Sequence, residues 1–209
     1  MTPASPSSRV PESHVIRAQG EGLVCALTFD DGPDPATTPA LLDFLRDEGI
    51  RAVFAVIGSN VQQGAGADIL RRTVAEGHVL CNHSTSFEAM GEWDAARVRA
   101  DMVENLEIIR AAVPDADVPY WRAPNGAWGV TSSVAAELGM RSLAVANTIL
   151  DWETQDVAIL TENLRAAMRP GELVLCHDGG GDRRGTLEAV KTVVGERLAA
   201  GWRFTLPER

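Results

Sequence analysis

The stretch LVCALTFDDGPDP, residues 23–35, joins an apolar run to two carboxylates and a turn. Residues 23–29 are apolar or β-branched, which predicts a buried strand. Asp30 and Asp31 follow it directly, and the next two residues, Gly-Pro, predict a sharp turn. Adjacent carboxylates at a strand end point in different directions, so that one can bind a metal while the other accepts a proton. A turn that merely caps the next helix is the alternative interpretation.

Downstream of this stretch, short apolar runs alternate with longer amphipathic segments, as is typical of parallel strands connected by helices. The pattern is compatible with a closed barrel and with an open doubly wound sheet. The predicted strands are 23–29, 52–57, 78–82, 118–122, 141–146, 172–176 and 202–206. The predicted helices are 37–48, 60–76, 93–112, 131–138, 157–168 and 186–200.

Length and composition favour a single catalytic domain over residues 22–209, because the 209-residue chain is 45% hydrophobic. Residues 1–21 are rich in Pro, Ser and Gly, which predicts a flexible lead-in without the apolar run of a signal peptide. No stretch approaches the roughly 18 apolar residues of a membrane span. We therefore expect a cytoplasmic protein without membrane partners. Cys25, Cys81 and Cys176 each lie in an apolar run, which favours reduced, buried thiols.

The net charge of −10 leaves no broad basic face, which argues against nucleic-acid binding. An acidic surface does not oppose a neutral small molecule or short carbohydrate, which is recognised by local hydrogen bonds. The sequence leaves the oligomeric state open.

Polar residues follow five of the predicted strands. Because the carboxyl ends of parallel strands meet at one edge in both candidate architectures, we expect these side chains to converge in one cleft. They are Asp30 and Asp31, His83, Arg122, Asp151 and His177.

The segment TFDDGP, residues 28–33, resembles the first motif of the polysaccharide deacetylases, the NodB-homology family, also called carbohydrate esterase family 4. The resemblance extends over about residues 23–206 through five short motifs in the same order. It implies an α/β fold with a distorted (β/α)7-type barrel in a single domain. It also implies that Asp30 is the catalytic base and that Asp31 is a ligand of a divalent metal, usually zinc.

The segment CNHSTSFEAM, residues 81–90, resembles the family motif H-[S/T]-x-x-H, in which both imidazoles bind the metal. His83 matches the first histidine, whereas Phe87 stands in place of the second, and a phenyl ring has no lone pair for a metal. We therefore expect metal binding by Asp31 and His83 to be weak or absent. Other candidates for a third ligand are poorly placed or weak: Cys81, Ser84, Ser86 and Glu88.

The segment YWRAPNGAWG, residues 120–129, resembles the family motif R-x-P-x-[GN]. The resemblance implies that Arg122 orients Asp30 and that the backbone amide of Asn125 stabilises an oxyanion. Trp121 and Trp128 flank the motif. They are candidates for stacking on a sugar, and core packing is the equal alternative.

Two further segments resemble the family. NTILDWE, residues 147–153, ends in a matching Asp-Trp, which implies that Asp151 raises the pKa of the catalytic histidine and that Trp152 forms part of the pocket wall. ELVLCH, residues 172–177, implies that His177 is the general acid that protonates the leaving group. The glycines at 179–181 are expected to leave room for substrate.

These motifs predict a hydrolase that removes an acetyl or other acyl group from an N-acetylated amino sugar or a related small intracellular carbohydrate or metabolite. The reaction is metal-assisted attack by water on an amide, or on an ester. Because of Phe87, two alternatives stay open. One is a metal-independent amide hydrolase or cyclase that acts on a small metabolite. The other is a carbohydrate-binding relative without catalysis.

Overall fold

The computed structural model describes residues 14–209, and every structural statement below concerns that range. Its strands are β1 Val24–Gly32, β2 Val53–Val56, β3 Val79–Asn82, β4 Tyr120–Trp121, β5 Arg141–Ser142, β6 Glu172–His177 and β7 Arg203–Thr205. Its helices are α1 Thr38–Asp47, α2 Gly58–Val61, α3 Gly66–Ala75, α4 Ala95–Ala112, α5 Thr131–Glu137, α6 Val157–Ala167 and α7 Arg184–Ala199, and a 3-10 turn spans Pro124–Gly126.

The strands form one parallel sheet in the order β5-β4-β3-β2-β1-β6, and β7 pairs with the first residues of β1. The end strands β5 and β6 do not pair with each other. Single bridges span the space between them: Val15 with Leu143, Arg17 with Glu172, and Thr148 with Leu175. The sheet is thus an incompletely closed barrel, which confirms the predicted distorted (β/α)7-type fold.

Strand β1 shows how the sequence pattern builds this barrel. Its odd-numbered residues, Cys25, Leu27 and Phe29, pack against apolar side chains of α1, α6 and α7. Its even-numbered residues Val24 and Ala26 face the interior, together with small and apolar side chains from β2, β3, β4 and β6. Because side chains alternate along a strand, Thr28 and Asp30 continue the interior face toward the carboxyl end.

Several predicted elements differ from the observed ones. The predicted helix 60–76 is two helices, because Asn60 closes against Gly66 so tightly that a Cβ there would lie 1.9 Å from the Asn60 carbonyl oxygen. Strand β4 begins only after Pro119, which has no N–H to donate. Strand β5 ends at Ser142, four residues before the predicted end.

The predicted boundary between residues 21 and 22 is wrong, because the described chain joins the sheet before it. Val15 donates its N–H to Ser142 at 2.8 Å and accepts from Ala144 at 3.0 Å. The side chains of Val15 and Ala18 are buried in the barrel interior. Residues 1–13 of the predicted lead-in lie outside the described range.

Within residues 14–209, no helix combines the length and the apolar character needed to cross a bilayer. The three cysteines are free and buried, as predicted.

Residues 15–18, which lie between the ends of the sheet at β5 and β6, should contribute measurably to the free energy of unfolding. Val15 is 4% exposed and its neighbour Ile16 is 45% exposed. We expect Val15→Asp to lower the free energy of unfolding by roughly 3 kcal/mol, because it buries an unpaired charge. The matched control Ile16→Asp should change it by less than about 0.5 kcal/mol. Urea denaturation followed by circular dichroism measures both, and equal effects would contradict the burial of Val15.

Candidate active site

A β-bulge places two carboxylates at the end of β1. Asp30 pairs with Ala55 and Gly32 pairs with Val56, so that Asp31 is an extra residue, and its φ is 73°. In a regular strand, neighbouring side chains would face opposite sides of the sheet, and a bulge re-aims them. Here both carboxylates approach the same imidazole. Nε2 of His83 lies 3.7 Å from Asp30 Oδ2 and 3.4 Å from Asp31 Oδ1.

Arg122, directly after β4, holds Asp30 from the barrel interior. Its fully buried guanidinium donates from Nη1 to Asp30 Oδ1 at 2.5 Å and to Thr28 Oγ1 at 3.0 Å. The Nη2 group donates to the carbonyl of Ala144 at 3.3 Å. With contacts to β1 and to the segment that follows β5, the guanidinium fixes the orientation of the Asp30 carboxylate.

His83 follows β3, and its ring is fixed by the backbone of Arg122. Its Nδ1 lies 2.7 Å from the carbonyl oxygen of Arg122. Because a carbonyl can only accept, Nδ1 carries the hydrogen, and Nε2 faces the two carboxylates. Burial acts to lower the pKa of His83, but the charges of Asp30 and Asp31 outweigh it and raise this pKa above its ordinary value.

The pKa of Asp31 is shifted in the opposite direction from that of His83. Burial acts to raise the pKa of the carboxyl, but the hydrogen bond and charge of His83, with the charges of His177 and Arg183, hold it below its ordinary value. Asp31 therefore stays ionised at neutral pH.

Asp151 and His177 form a second pair on the other side of the pocket. His177 Nδ1 donates to Asp151 Oδ1 at 2.7 Å, while Asp151 Oδ2 accepts from the His177 backbone N–H at 2.8 Å and from Thr186 Oγ1 at 3.0 Å. Burial acts to lower the pKa of His177, but the hydrogen bond and charge of Asp151 raise it above its ordinary value. The pair leaves Nε2 of His177 as the ring nitrogen available to a ligand.

The register of the sheet brings the Arg122–Asp30 pair close to the Asp151–His177 pair. Strands β1 and β6 are adjacent, and Asp30 lies directly opposite His177. Both open onto one cavity of about 510 Å³. Asp30, Asp31, His83 and His177 line this cavity together with apolar and other polar side chains. The other lining residues include Phe87, Pro124, Asn125, Val145, Trp152, Leu175 and Arg183. Asp30, Asp31, His83 and His177 therefore line one cleft. Arg122 and Asp151 do not line it, but they hydrogen-bond to Asp30 and His177.

The tryptophans divide between pocket and core. Trp152 is 49% exposed and meets the His177 ring edge-on, with centroids 5.6 Å apart, in the predicted pocket wall. Trp121 is fully buried in the cluster formed with α4 and α5 and does not line the cavity. The predicted contact of Trp121 with substrate is therefore wrong, because its side chain points from β4 toward the helices. Trp128 packs on His14, with centroids 4.1 Å apart.

Residues 18–143 match the sequence model of the family described as polysaccharide deacetylase, more than half of the chain. The chain belongs to the polysaccharide deacetylase family. It is 37% identical over 156 residues to a chitooligosaccharide deacetylase from Bradyrhizobium sp. (strain ANU 289), which covers 73% of this chain and 69% of the relative.

Solved structures of the family share the fold. One is a peptidoglycan N-acetylglucosamine deacetylase in complex with 4-naphthalen-1-yl-N-oxidanyl-benzamide, with a TM-score of 0.82, 25% identity, and coverage of 92% of this chain and 89% of that one. Another is a family 4 acetyl xylan esterase from Clostridium thermocellum with a cobalt ion, with a TM-score of 0.78, 27% identity, and coverage of 88% and 87%. The predicted family, fold and deacetylase class are confirmed.

Polysaccharide deacetylases depend on metal in general, so the donor set of this chain is informative. Asp31 Oδ1 and His83 Nε2, 3.4 Å apart, are spaced as two ligands of one ion can be. Phe87, in the position of the missing histidine, is 45% exposed at the cavity wall, and its carbonyl accepts from Asn125 Nδ2 at 2.9 Å. Within residues 14–209, no three His, Cys, Asp or Glu side chains form a group that could hold a metal.

The other candidate ligands lie elsewhere. Glu88 is exposed and pairs with Arg97 at 3.3 Å. Cys81 is packed in the barrel interior, where burial raises the pKa of its thiol far above the ordinary value. The side chains present therefore do not complete the three-protein-ligand set of a catalytic zinc site.

Sequence reasoning missed one residue that lines the cavity and one buried carboxyl group outside it. Arg183 is buried and lines the cavity, whereas the adjacent Arg184 is exposed and pairs with Asp182 at 2.6 Å. Two neighbouring arginines at the start of a helix carry no local sequence signal that shows which one is buried. Asp178 is buried, with Oδ2 accepting from Thr38 Oγ1 at 2.5 Å, and burial, with the charges of Asp31 and Asp30, raises its pKa to about 7.

The glycines after β6 have a structural role in addition to the predicted one. A Cβ on Gly179 would lie 2.1 Å from the Asp31 carbonyl oxygen, and one on Gly180 would lie 2.4 Å from Asp31 Oδ2. These two glycines are required by close packing against Asp31, rather than only by space for a substrate.

Titration of His177 by NMR should report the Asp151 pair. We expect its imidazole to titrate above the ordinary value of about 6.5, and Asp151→Asn should lower this pKa because the stabilising carboxylate charge is removed. His78 is the internal control, since burial lowers its pKa to about 4 and it should be unaffected by the substitution. Titration of wild-type His177 below 6.5 would contradict the geometry.

Restoring the missing imidazole should change metal binding. We expect Phe87→His to bind Zn²⁺ more tightly than the wild type, because a third side chain with a lone pair joins Asp31 and His83. Phe87→Leu, which adds no lone pair, is the matched control and should leave affinity unchanged. Isothermal titration calorimetry and elemental analysis measure this. No gain for Phe87→His would show that position 87 does not converge with the other two ligands.

Proposed function

We propose that this polysaccharide deacetylase removes acetyl groups from N-acetylated amino sugar residues of a short carbohydrate. The observation that carries this proposal is the opposition of Asp30, held by Arg122, and His177, held by Asp151, across one cavity. This is the arrangement that amide hydrolysis needs, with a base for water and an acid for the leaving nitrogen. The substrate class is supported by the chitooligosaccharide and N-acetylglucosamine deacetylases among its relatives.

In the proposed mechanism, Asp30 accepts a proton from the attacking water. Arg122 keeps the carboxylate oriented, with Oδ1 bound to the guanidinium and Oδ2 on the side of His83. The resulting hydroxide equivalent attacks the acetyl carbonyl carbon and forms a tetrahedral intermediate.

The backbone N–H of Asn125 is the proposed donor to the oxyanion. Asn125 lines the cavity with a φ of 56°, and its N–H has no acceptor within the part of the chain that the structure describes. An unpaired backbone donor fixed by a turn needs no reorganisation as charge develops on the carbonyl oxygen.

His177 then donates the proton of Nε2 to the departing nitrogen, so that the products are acetate and a free amine. The Asp151 carboxylate favours the imidazolium form that this step requires. No step is assigned to a metal ion, because residues 14–209 supply two of the usual three ligands.

Phe87 supports a second candidate function, the metal-independent hydrolysis or cyclisation of another amide. It replaces a lone pair with an apolar wall and leaves the Asp30 and His177 pairs intact.

The cytoplasmic location and a small substrate also stay predictions, and cell fractionation tests the location.

Release of acetate and free amine from chitooligosaccharides by the purified protein tests the proposal. We expect turnover by the wild type and a loss of about 10²–10⁴-fold in kcat for Asp30→Asn and for His177→Ala, because each removes one proton-transfer group. Circular dichroism controls for folding. Turnover that resists a chelator would favour the metal-independent candidate. Ligand binding without turnover, unchanged in both variants, would overturn the enzymatic proposal.

A further inference from the structure

Arg183 is an unusual buried cation. Its guanidinium has no carboxylate partner within 4.0 Å among residues 14–209, and its hydrogen bonds go to backbone carbonyls. Removing a charge from water is costly, and an apolar side chain of similar size would fill the same volume without that cost. The positions of the three carbonyls indicate the structural role of the buried guanidinium.

The three carbonyls belong to two separate segments, one around Asp151 and one formed by the glycines after β6. Nη1 donates to the carbonyl of Asp151 at 2.7 Å, on the segment that orients His177. Nε donates to Gly179 at 2.8 Å and Nη2 to Gly180 at 3.3 Å, on the loop after β6. One planar group therefore links the Asp151 segment to the glycine loop.

The glycine loop in turn rests against the carboxylates of β1. The backbone N–H groups of Asp178 and Gly179 donate to the Asp30 carbonyl at 3.0 and 3.3 Å. Gly179 and Gly180 pack so closely on Asp31 that neither has room for a Cβ. A displacement of this loop would move the Asp30–Asp31 bulge relative to His177.

We propose that Arg183 is a positioning residue that sets the distance between the base side of the pocket, Asp30 and Asp31, and the acid side, Asp151 and His177. It acts through the Asp151 carbonyl and the two glycine carbonyls, and none of these three hydrogen bonds involves the reacting groups themselves. The role in catalysis rests on the proposed deacetylase function, whereas the role in geometry does not.

Kinetics of Arg183→Met, with Arg184→Met as the matched control, test the catalytic part. We expect kcat of Arg183→Met to fall by about 10²-fold with little change in KM, because a misplacement of about 1 Å between reacting groups has such an effect. Arg184 is 81% exposed at its side chain, and its substitution should leave kcat unchanged. Arg183→Lys should fall between wild type and Arg183→Met, since an ammonium keeps the charge but lacks the planar fork.

An NMR measurement tests the geometric part without substrate. The chain has 4 histidines, and the Nδ1–H signal of His177 reports its hydrogen bond to Asp151. We expect this signal to shift or broaden in Arg183→Met and to stay unchanged in Arg184→Met.

A wild-type kcat and an unchanged His177 signal in folded Arg183→Met would overturn the proposal, as would equal losses in the two methionine variants. If Arg183→Met does not fold, Arg183→Lys decides by the same two measurements. If the wild type shows no deacetylation, the proposed function fails, and the His177 signal alone decides the role of Arg183.

Discussion

The buried ion pair between Arg122 and Asp30 is the constraint on which the site depends. Arg122 directly follows β4 and Asp30 lies in β1, and these two strands are separated in the sheet by β2 and β3. The two side chains meet only because the sheet curls and its interior face closes on itself. A buried cation and a buried carboxylate each require a partner. The pair therefore couples the curvature of the barrel to the orientation of Asp30, the proposed base.

The rest of the site is arranged around this pair. The carbonyl of Arg122 fixes the His83 tautomer, and the bulge at Asp31 turns a second carboxylate toward the same ring. On the other side, the register of β1 with β6 places His177 opposite Asp30, and Asp151 holds it from behind. Backbone pairing of adjacent strands thus brings the proposed acid and base opposite each other, which is how a rigid scaffold pre-organises proton transfer.

Phe87 changes the candidate metal site without changing the contacts of the proposed acid and base. The substitution removes one ligand, but Asp30, Arg122, Asp151 and His177 make contacts in which position 87 takes no part. The apolar ring forms part of the cavity wall, where it reduces the polar surface open to a ligand. A chain of this family can therefore keep its proposed proton-transfer groups in place while a position that matches a metal ligand is replaced.

The amino-acid sequence by itself determined the alternation of strands and helices and the residues at the strand ends, because periodicity and turn residues act locally. It also determined that Phe87 cannot bind a metal. Only the tertiary structure decided that Asp31 is bulged toward His83, that Trp152 rather than Trp121 lines the pocket, and that Arg183 rather than Arg184 is buried. In each case residues of the same or similar type differ only in what packs against them, and long-range packing leaves no signature in the local pattern.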